Sequence, residues 1–406
     1  MKVLYFHQHF STPKGSAGIR SYQMAQKLIS LGHQVTMVCG SYNRGGSGLN
    51  NPFNKGMRRG VVDGIDIIEF DLAYSNNFGL TQRAGQFLRF AARSVKLIFT
   101  ENYDGVFATT TPLTAGIPGI FARWFRRKPF IFEVRDLWPE LPKAMGVIRN
   151  PLVLKSMSFL EWATYRSANK LVGLSPGIVE GIRRKGILSK NIALIPNGCD
   201  LTIFSSDAAP WRPANVNEDD FLALYAGTHG IANGLDALLD VAEQLKNRKQ
   251  DKIKLLLIGQ GKLKDSLIEN AKKRNLDNLI FHDSVNKQKL AGLMKSSDLG
   301  LQLLANIPEF YYGTSPNKFF DYIAAGLPVL NNYPGWISDM ILEKNCGYTV
   351  PPDNSIAFAD ALEHALCNKQ ILKQMGRNAT ALAREQFDRD DLSTSFCDWL
   401  EAAIQR

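Results

Sequence analysis

The first 39 residues, MKVLYFHQHFSTPKGSAGIRSYQMAQKLISLGHQVTMVC, decide the fold class. Residues 2–7 form a short apolar run that ends in a polar loop. Residues 21–31 then place Tyr22, Met24, Ala25, Leu28 and Ile29 at helical spacing, and Gly32 stops the pattern. Residues 34–39 are apolar again. Strand, helix and strand in so short a span make a βαβ unit, which joins two parallel strands. Further strands are expected at 65–70, 105–109, 130–134, 170–174 and 192–196, most of them separated by helical segments.

The pattern restarts after 205–218, a stretch rich in Asp, Ala, Pro and Asn that reads as a linker. Strands are expected at 222–226, 253–258, 279–282, 299–304 and 328–331. Helices are expected at 234–245, 263–274, 287–296, 318–325 and 356–366. The expected architecture is α/β, two doubly wound Rossmann-like domains facing across a cleft. Ligands in such sheets bind beyond the carboxyl ends of the strands.

Composition narrows the function. The chain has 406 residues and 45% hydrophobic residues, which excludes a disordered or fibrous protein. No apolar run approaches the roughly 20 residues that span a bilayer, and the N-terminus lacks a signal-peptide pattern. A cytoplasmic protein is expected. Five widely spaced cysteines with no C-x-x-C pair indicate neither a zinc knuckle nor a disulfide framework. Residues 1–200 carry 26 Lys+Arg and 12 Asp+Glu (26 − 12 = +14), and residues 201–406 carry 22 and 26 (22 − 26 = −4). The first half therefore suits an anionic partner.

The loops at strand ends carry the candidate chemistry. After the first strand come His7, Gln8, His9 and a run to Gly18 that opens a helix, whose free N–H groups suit a phosphate. It is not a G-x-G-x-x-G fingerprint, so a dinucleotide cofactor is not indicated. Another strand runs into Glu133-Val134-Arg135-Asp136-Leu137-Trp138-Pro139-Glu140. Its charges suit either a site or a rim salt bridge of Arg135 with Asp136 or Glu140. In the second half, Gly227-Thr228-His229-Gly230 and Ser284-Val285-Asn286 sit at strand ends. The richest loop is Glu309-Phe310-Tyr311-Tyr312-Gly313-Thr314-Ser315-Pro316-Asn317-Lys318, followed by a helix bearing Asp321. Lys318 suits a phosphate, and Asp321 on the same helical face suits two vicinal hydroxyls. Asp388-Arg389-Asp390 fits a D-x-D pattern but reads as the start of the last helix. No histidine spacing marks a metal site.

Three stretches resemble retaining GT-B glycosyltransferases of family 4. They are Ile195-Pro196-Asn197-Gly198-Cys199-Asp200 with Phe204, the opening from Gly18 to Gly32-His33, and Asp321 to Val329, close to E-A-M-A-x-G-x-P-V. Residues 132–141 and Ser175-Pro176-Gly177 resemble a bacterial subgroup that builds O-antigen and capsule repeats and includes N-acetyl-fucosaminyl transferases. The resemblance implies an acceptor domain over 1–205, a donor domain over 217–387, and a last segment, 388–406, crossing back to the first domain. It implies a nucleotide-sugar donor, with uridine as base, and a polyprenyl-diphosphate-linked or oligosaccharide acceptor. Donor contacts fall on Gly18, Thr228, His229, Ser284, Val285, Ser315, Lys318 and Asp321. Acceptor contacts fall on His9, Arg135, Trp138 and Glu140, and the catalytic set is Asp136, Arg135 and Lys318. No cofactor, metal or nucleic acid is implied.

The departures from the family are specific. The first Glu of its E-x7-E pair falls on Gly313, and the second is Asp321. The Arg and Lys that usually grip the donor diphosphate are Thr228 and Asn233. Lys318, with Ser315 and backbone N–H groups, is the expected replacement. Basic and aromatic residues in 82–99 and 121–130 suit an anionic membrane surface, so a peripheral position on the inner face of the cell membrane is expected. Two other functions fit the same fold: a nucleotide-sugar epimerase and a non-catalytic nucleotide-sugar or glycan-binding protein.

Overall fold

The computed structural model describes residues 1–15, 18–42, 46–74, 78–204 and 208–405. The start of the expected linker, 205–207, and the end of the expected first domain therefore lie outside the described residues. The chain divides into two compact units. One comprises Met1–Pro196, Gly313–Ser315 and Asp390–Arg406; the other comprises Asn197–Tyr312 and Pro316–Arg389.

Among the described residues, the first unit holds an eight-stranded sheet. Its strands are β1 (Lys2–Phe6), β2 (Gln34–Tyr42), β3 (Met57–Val62), β4 (Ile65–Tyr74), β5 (Gly105–Thr109), β6 (Phe130–Val134), β7 (Lys170–Gly173) and β8 (Ile192–Leu194). Their spatial order is β3-β4-β2-β1-β5-β6-β7-β8, and only the β3–β4 pair is antiparallel. β5 and β6 are buried at every residue, which is why they read as unbroken apolar runs. The sequence reading missed β3, an edge strand whose exposure alternates and which carries Arg58 and Arg59. A signal was present in Asp63-Gly64. Both residues have positive φ (49° and 82°), and Val62 pairs with Ile65, so this is the two-residue turn that favours Asp-Gly.

The second unit holds β9 (Phe221–Ala226), β10 (Ile253–Ile258), β11 (Leu279–His282), β12 (Leu299–Gln302), β13 (Val329–Asn331) and β14 (Gly347–Thr349). The order β11-β10-β9-β12-β13-β14 is all parallel and is the doubly wound arrangement. β14, Gly347-Tyr348-Thr349, has no apolar run to show in the sequence. Helix Lys369–Gln386 was also missed, because small residues (Gly376, Ala379, Ala383) share its buried face with Leu372, Met375 and Leu382. The helix expected from 234 begins at Ala237, since Ile231–Asn233 forms its own short turn.

Each unit has its own core. Phe396, Cys397, Leu400 and Ala403 of helix Arg389–Ile404 belong to the first core, where the Phe396 ring meets Phe107 edge-on at 4.9 Å. His33 Nε2 lies 2.6 Å from Glu401 Oε1, which gives that histidine a structural role. All five cysteines are free, and Cys367 alone is exposed.

Candidate active site

In the first sheet the strand order reverses between β1 and β5, so the loops after β1, β5 and β6 surround the expected ligand position. Glu133 in β6 is fully buried and charged. Arg20 donates Nε and Nη2 to Glu133 Oε2 at 2.9 and 2.8 Å, and Thr109 Oγ1 donates to Oε1 at 2.7 Å. Burial would push this carboxyl up; Arg20, Arg135 and the hydrogen bonds hold it at about 2. Arg20 also donates to the carbonyls of Ile195 and Pro196 at 2.9 and 2.6 Å.

Arg135 is pinned by the same group. Its Nε lies 3.0 Å from Glu133 Oε1 and 2.7 Å from Thr109 Oγ1, and Nη2 donates to Ser21 Oγ at 2.8 Å. The rim salt bridge to Asp136 or Glu140 is therefore replaced by a pair with Glu133. Glu140 instead lies 3.8 Å from both Arg184 and Lys185. Asp136 is half-buried and accepts from Thr111 Oγ1 at 3.4 Å. Burial raises its carboxyl above the usual range, against the opposing Arg135 charge. Trp138 is half-buried and packs on the first core. Burial, then Arg135, holds the His9 imidazole at about 4 and His7 well below its usual value. The His9 ring lies 4.5 Å from Tyr74, which stacks on Phe87 at 5.5 Å. Gly18 is exposed, two residues before helix Arg20–Ser30.

In the second unit β9 runs into Gly227-Thr228-His229-Gly230. Gly227 N and His229 N donate to Ile258 O and Gln260 O, both at 3.0 Å, so this loop lies against the one after β10. A Cβ on Gly259, at φ +148°, would sit 1.9 Å from Gly227 O, and only glycine permits that approach. His229 is fully buried, and neither ring nitrogen has a hydrogen-bond partner. Burial first, then Lys264 and Lys318, hold it neutral with a pKa of about 4.

Lys318 stands on the first turn of helix Asn317–Ala324. Its Nζ donates to Asn233 Oδ1 at 2.9 Å and Tyr225 OH at 3.2 Å, and lies 4.5 Å from the Tyr225 ring centre. Among the described residues no carboxylate pairs with it, and burial lowers its ammonium to about 7. Asn233 Nδ2 in turn donates to Thr228 O at 2.9 Å. Positions 228, 233 and 318 thus converge. Asp321, one turn on, is buried, and its Oδ1 accepts no hydrogen bond. Lys287 Nζ lies 3.9 Å away. Burial raises the Asp321 carboxyl, and Lys287 and Arg389 oppose it. The remaining expected donor residues lie in loops. Ser284 is exposed and Val285 half-buried between β11 and helix Lys287–Lys295, and Ser315 is half-buried before helix Asn317–Ala324.

Several residues of this region were not singled out from the sequence. Lys287 faces Asp321, and Lys264 donates to Gly259 O, His282 O and Asp283 Oδ1 at 3.0, 3.1 and 2.6 Å. Tyr322 is buried where β9 and β12 diverge; its hydroxyl accepts from Ala226 N at 2.9 Å and reaches Leu224 O at 3.0 Å. The Asn197-Gly198-Cys199-Asp200 stretch is structural. Asp200 accepts from Ile203 N at 3.1 Å and pairs with Arg389 at 3.1 Å, and Arg389 donates to Gly198 O at 2.6 Å.

Comparison with known proteins agrees with this architecture. Residues 15–198 match a profile described as a glycosyl transferase 4-like domain, and residues 209–382 match one described as glycosyl transferases group 1. The O-antigen chain mannosyltransferase C of Escherichia coli is 21% identical over 254 residues, which cover 62% of this chain and 65% of that protein. Sucrose-phosphate synthase from Thermosynechococcus elongatus superimposes with a TM-score of 0.76 at 16% identity, over 100% of this chain and 99% of the other. Anabaena Alr3699/HepE, solved in complex with UDP, gives 0.69 at 17% identity, over 99% and 100%. With two doubly wound sheets in this order and a family match on each half, the chain belongs to the GT-B glycosyltransferases, with a 4-like first half and a group 1 second half.

Proposed function

We propose that the chain moves a sugar, with retention, from a UDP-linked donor to a polyprenyl-diphosphate-linked or oligosaccharide acceptor in surface polysaccharide synthesis. The acceptor site is assigned to the first unit and the donor site to the second. One observation carries the donor site: Lys318, a half-buried cation with no carboxylate partner among the described residues, reaches from helix Asn317–Ala324 to Asn233, in the loop where the resemblance puts the diphosphate clamp. The sugar C1–O bond to the diphosphate breaks, and its electron pair stays on the phosphate oxygen. Lys318 stabilises that charge, which preorganised donors do best in a site shielded from water. The acceptor oxygen bonds to C1 on the same face and passes its proton to the departing phosphate. Asp321 holds the ribose hydroxyls. Arg135, locked by Glu133, and Asp136 orient the acceptor with His9, Trp138 and Glu140. No metal or cofactor takes part.

The mannosyltransferase relative and the UDP complex of HepE support the polysaccharide and UDP readings. The basic first half supports a position on the inner face of the cell membrane. Incubation with labelled UDP-sugars and a lipid-linked acceptor, with proton NMR of the product anomer and EDTA controls, tests the reading. An inverted anomer, loss of activity in EDTA, or interconversion of the donor sugar without transfer would each overturn part of it.

A further inference from the structure

A helix on the outside of a globular domain normally turns its apolar residues inward and its charges outward. Helix Pro151–Ser167 instead turns large apolar residues outward beside its cations. Leu152, Lys155, Phe159, Trp162 and Arg166 recur at steps of three and four residues, so they share one face, and all five are exposed. Leu152, Phe159 and Trp162 are 74%, 66% and 51% exposed. The helix's one acidic residue, Glu161, is turned inward, where Lys185 Nζ donates to it at 2.8 Å. The neighbouring helix Ile117–Phe125 lies beside it, where Trp124 Nε1 donates to Ser167 Oγ at 2.8 Å. Trp124 and Phe125 are 64% and 67% exposed, followed by exposed Arg126 and Arg127. No acidic residue occurs between Asp104 and Glu133.

We propose that this two-helix face of the first unit inserts into the interfacial layer of an anionic membrane, with Phe125, Phe159 and Trp162 at the acyl boundary and Arg126, Arg127, Lys155 and Arg166 on the lipid phosphates. Aromatic residues with cations beside them match the headgroup region, where the ring body is dehydrated and the charge meets an anion. A second copy of the chain is the poorer occupant. A two-fold interface would bring these cations against one another with no acid on the face to offset them. Helix Leu80–Thr100 turns Phe90, Leu97 and Ile98 inward and leaves Leu88 and Phe99 60% and 48% exposed, without a stacked aromatic pair like Phe159 and Trp162. The inference deepens the reading of a lipid-linked acceptor, which would lie at the same surface.

The test is sedimentation of the full chain with vesicles of phosphatidylcholine alone or with added phosphatidylglycerol. The variants are Phe159→Ala/Trp162→Ala, Arg126→Gln/Arg127→Asn and, as a control, Leu88→Ala. Asn is chosen at Arg127 because φ there is +52°. The wild type and Leu88→Ala are expected to bind only the anionic vesicles, and each double variant to lose about tenfold or more in partitioning. UDP binding by calorimetry should be the same in all four proteins. Retained vesicle binding in both double variants, no binding by the wild type, or a dimer that the double variants dissolve would overturn the proposal. Failure of UDP binding in the wild type with vesicle binding intact would instead overturn the transferase reading alone.

Discussion

Lys318 Nζ donates to Asn233 Oδ1 at 2.9 Å, although the two lie far apart in sequence. The amide at the position where the resemblance expects a basic residue thus holds Lys318 in place. Burial sets the free lysine near 7, so it loses its proton as pH rises through that value. A diphosphate prefers the protonated form. UDP affinity is therefore expected to fall above pH 7, by at most about tenfold per pH unit. Calorimetry across pH checks this, and Lys318→Met should lose both the affinity and the slope. A slope that survives the substitution would count against Lys318 as the clamp. On folding alone the sign is opposite. The unfolded lysine binds more protons between pH 7 and its ordinary range, so Lys318 detracts from stability at pH 7 and progressively less as pH rises.

Asp321 is poised as an acceptor, being buried with Oδ1 unbonded and Lys287 at 3.9 Å. Asp321→Asn is expected to weaken UDP binding by about 1.5–3 kcal/mol, the scale of a hydrogen bond to a charged group. The 2′,3′-dideoxy analogue should bind the wild type and Asp321→Asn alike. Equal losses for both ligands would remove the ribose assignment.

The buried Arg20–Glu133 pair, at 2.8 Å, ties β6 to the carbonyls at Ile195 and Pro196. Arg20→Met leaves Glu133 with less compensation and should cost about 3–5 kcal/mol in urea unfolding. Glu133 has a depressed folded pKa of about 2, so its contribution is complete above the ordinary carboxyl range and is lost as pH falls through 2. Glu133→Gln should flatten the acid limb of the stability profile. An unchanged limb would show that other carboxylates dominate acid unfolding.

Asn332 clamps the loop after β12 from both sides. Leu304 N donates to Asn332 Oδ1 at 2.9 Å, and Asn332 Nδ2 donates to Leu304 O at 3.2 Å. Farther along, in the short helix Pro308–Gly313, Tyr311 stacks on Tyr333 with ring centres 6.1 Å apart and bonds to Asn306. Asn332→Ala should cost about 1–3 kcal/mol through the unsatisfied backbone pair. Hydrogen exchange should speed up at Leu304, Ala305 and the residues to Tyr311 and stay unchanged in β1 and β5.

Gly300 faces the Tyr322 ring, and a Cβ there would come within 2.7 Å of it. Gly300→Ala should displace Tyr322 from the backbone groups of Leu224 and Ala226. A cost of about 1–3 kcal/mol is expected from overpacking. Thermal unfolding of the double variant Gly300→Ala/Tyr322→Phe checks the coupling, since independent sites would give additive shifts.

The doubly wound class was written in the sequence by itself, because parallel strands buried on both faces must be apolar runs and the helices between them must show a 3.6-residue period. The opening βαβ, with Gly32 as its stop, and the restart at β9 needed no coordinates. Elements that escaped were those where that signal fails: β3, half exposed at an edge; β14, a Gly-Tyr-Thr with no apolar run; and helix Lys369–Gln386, whose buried face is partly small residues. Lys318 and Asp321 could be named from their place at a strand end. Their surroundings could not, because a pKa near 7 and an unbonded carboxylate oxygen depend on burial, which only packing creates. The choice of Glu133 over Asp136 or Glu140 as partner of Arg135 was likewise tertiary. Glu133 is drawn into the core by Arg20, from a helix remote in sequence, and only there does a second cation gain from staying beside it.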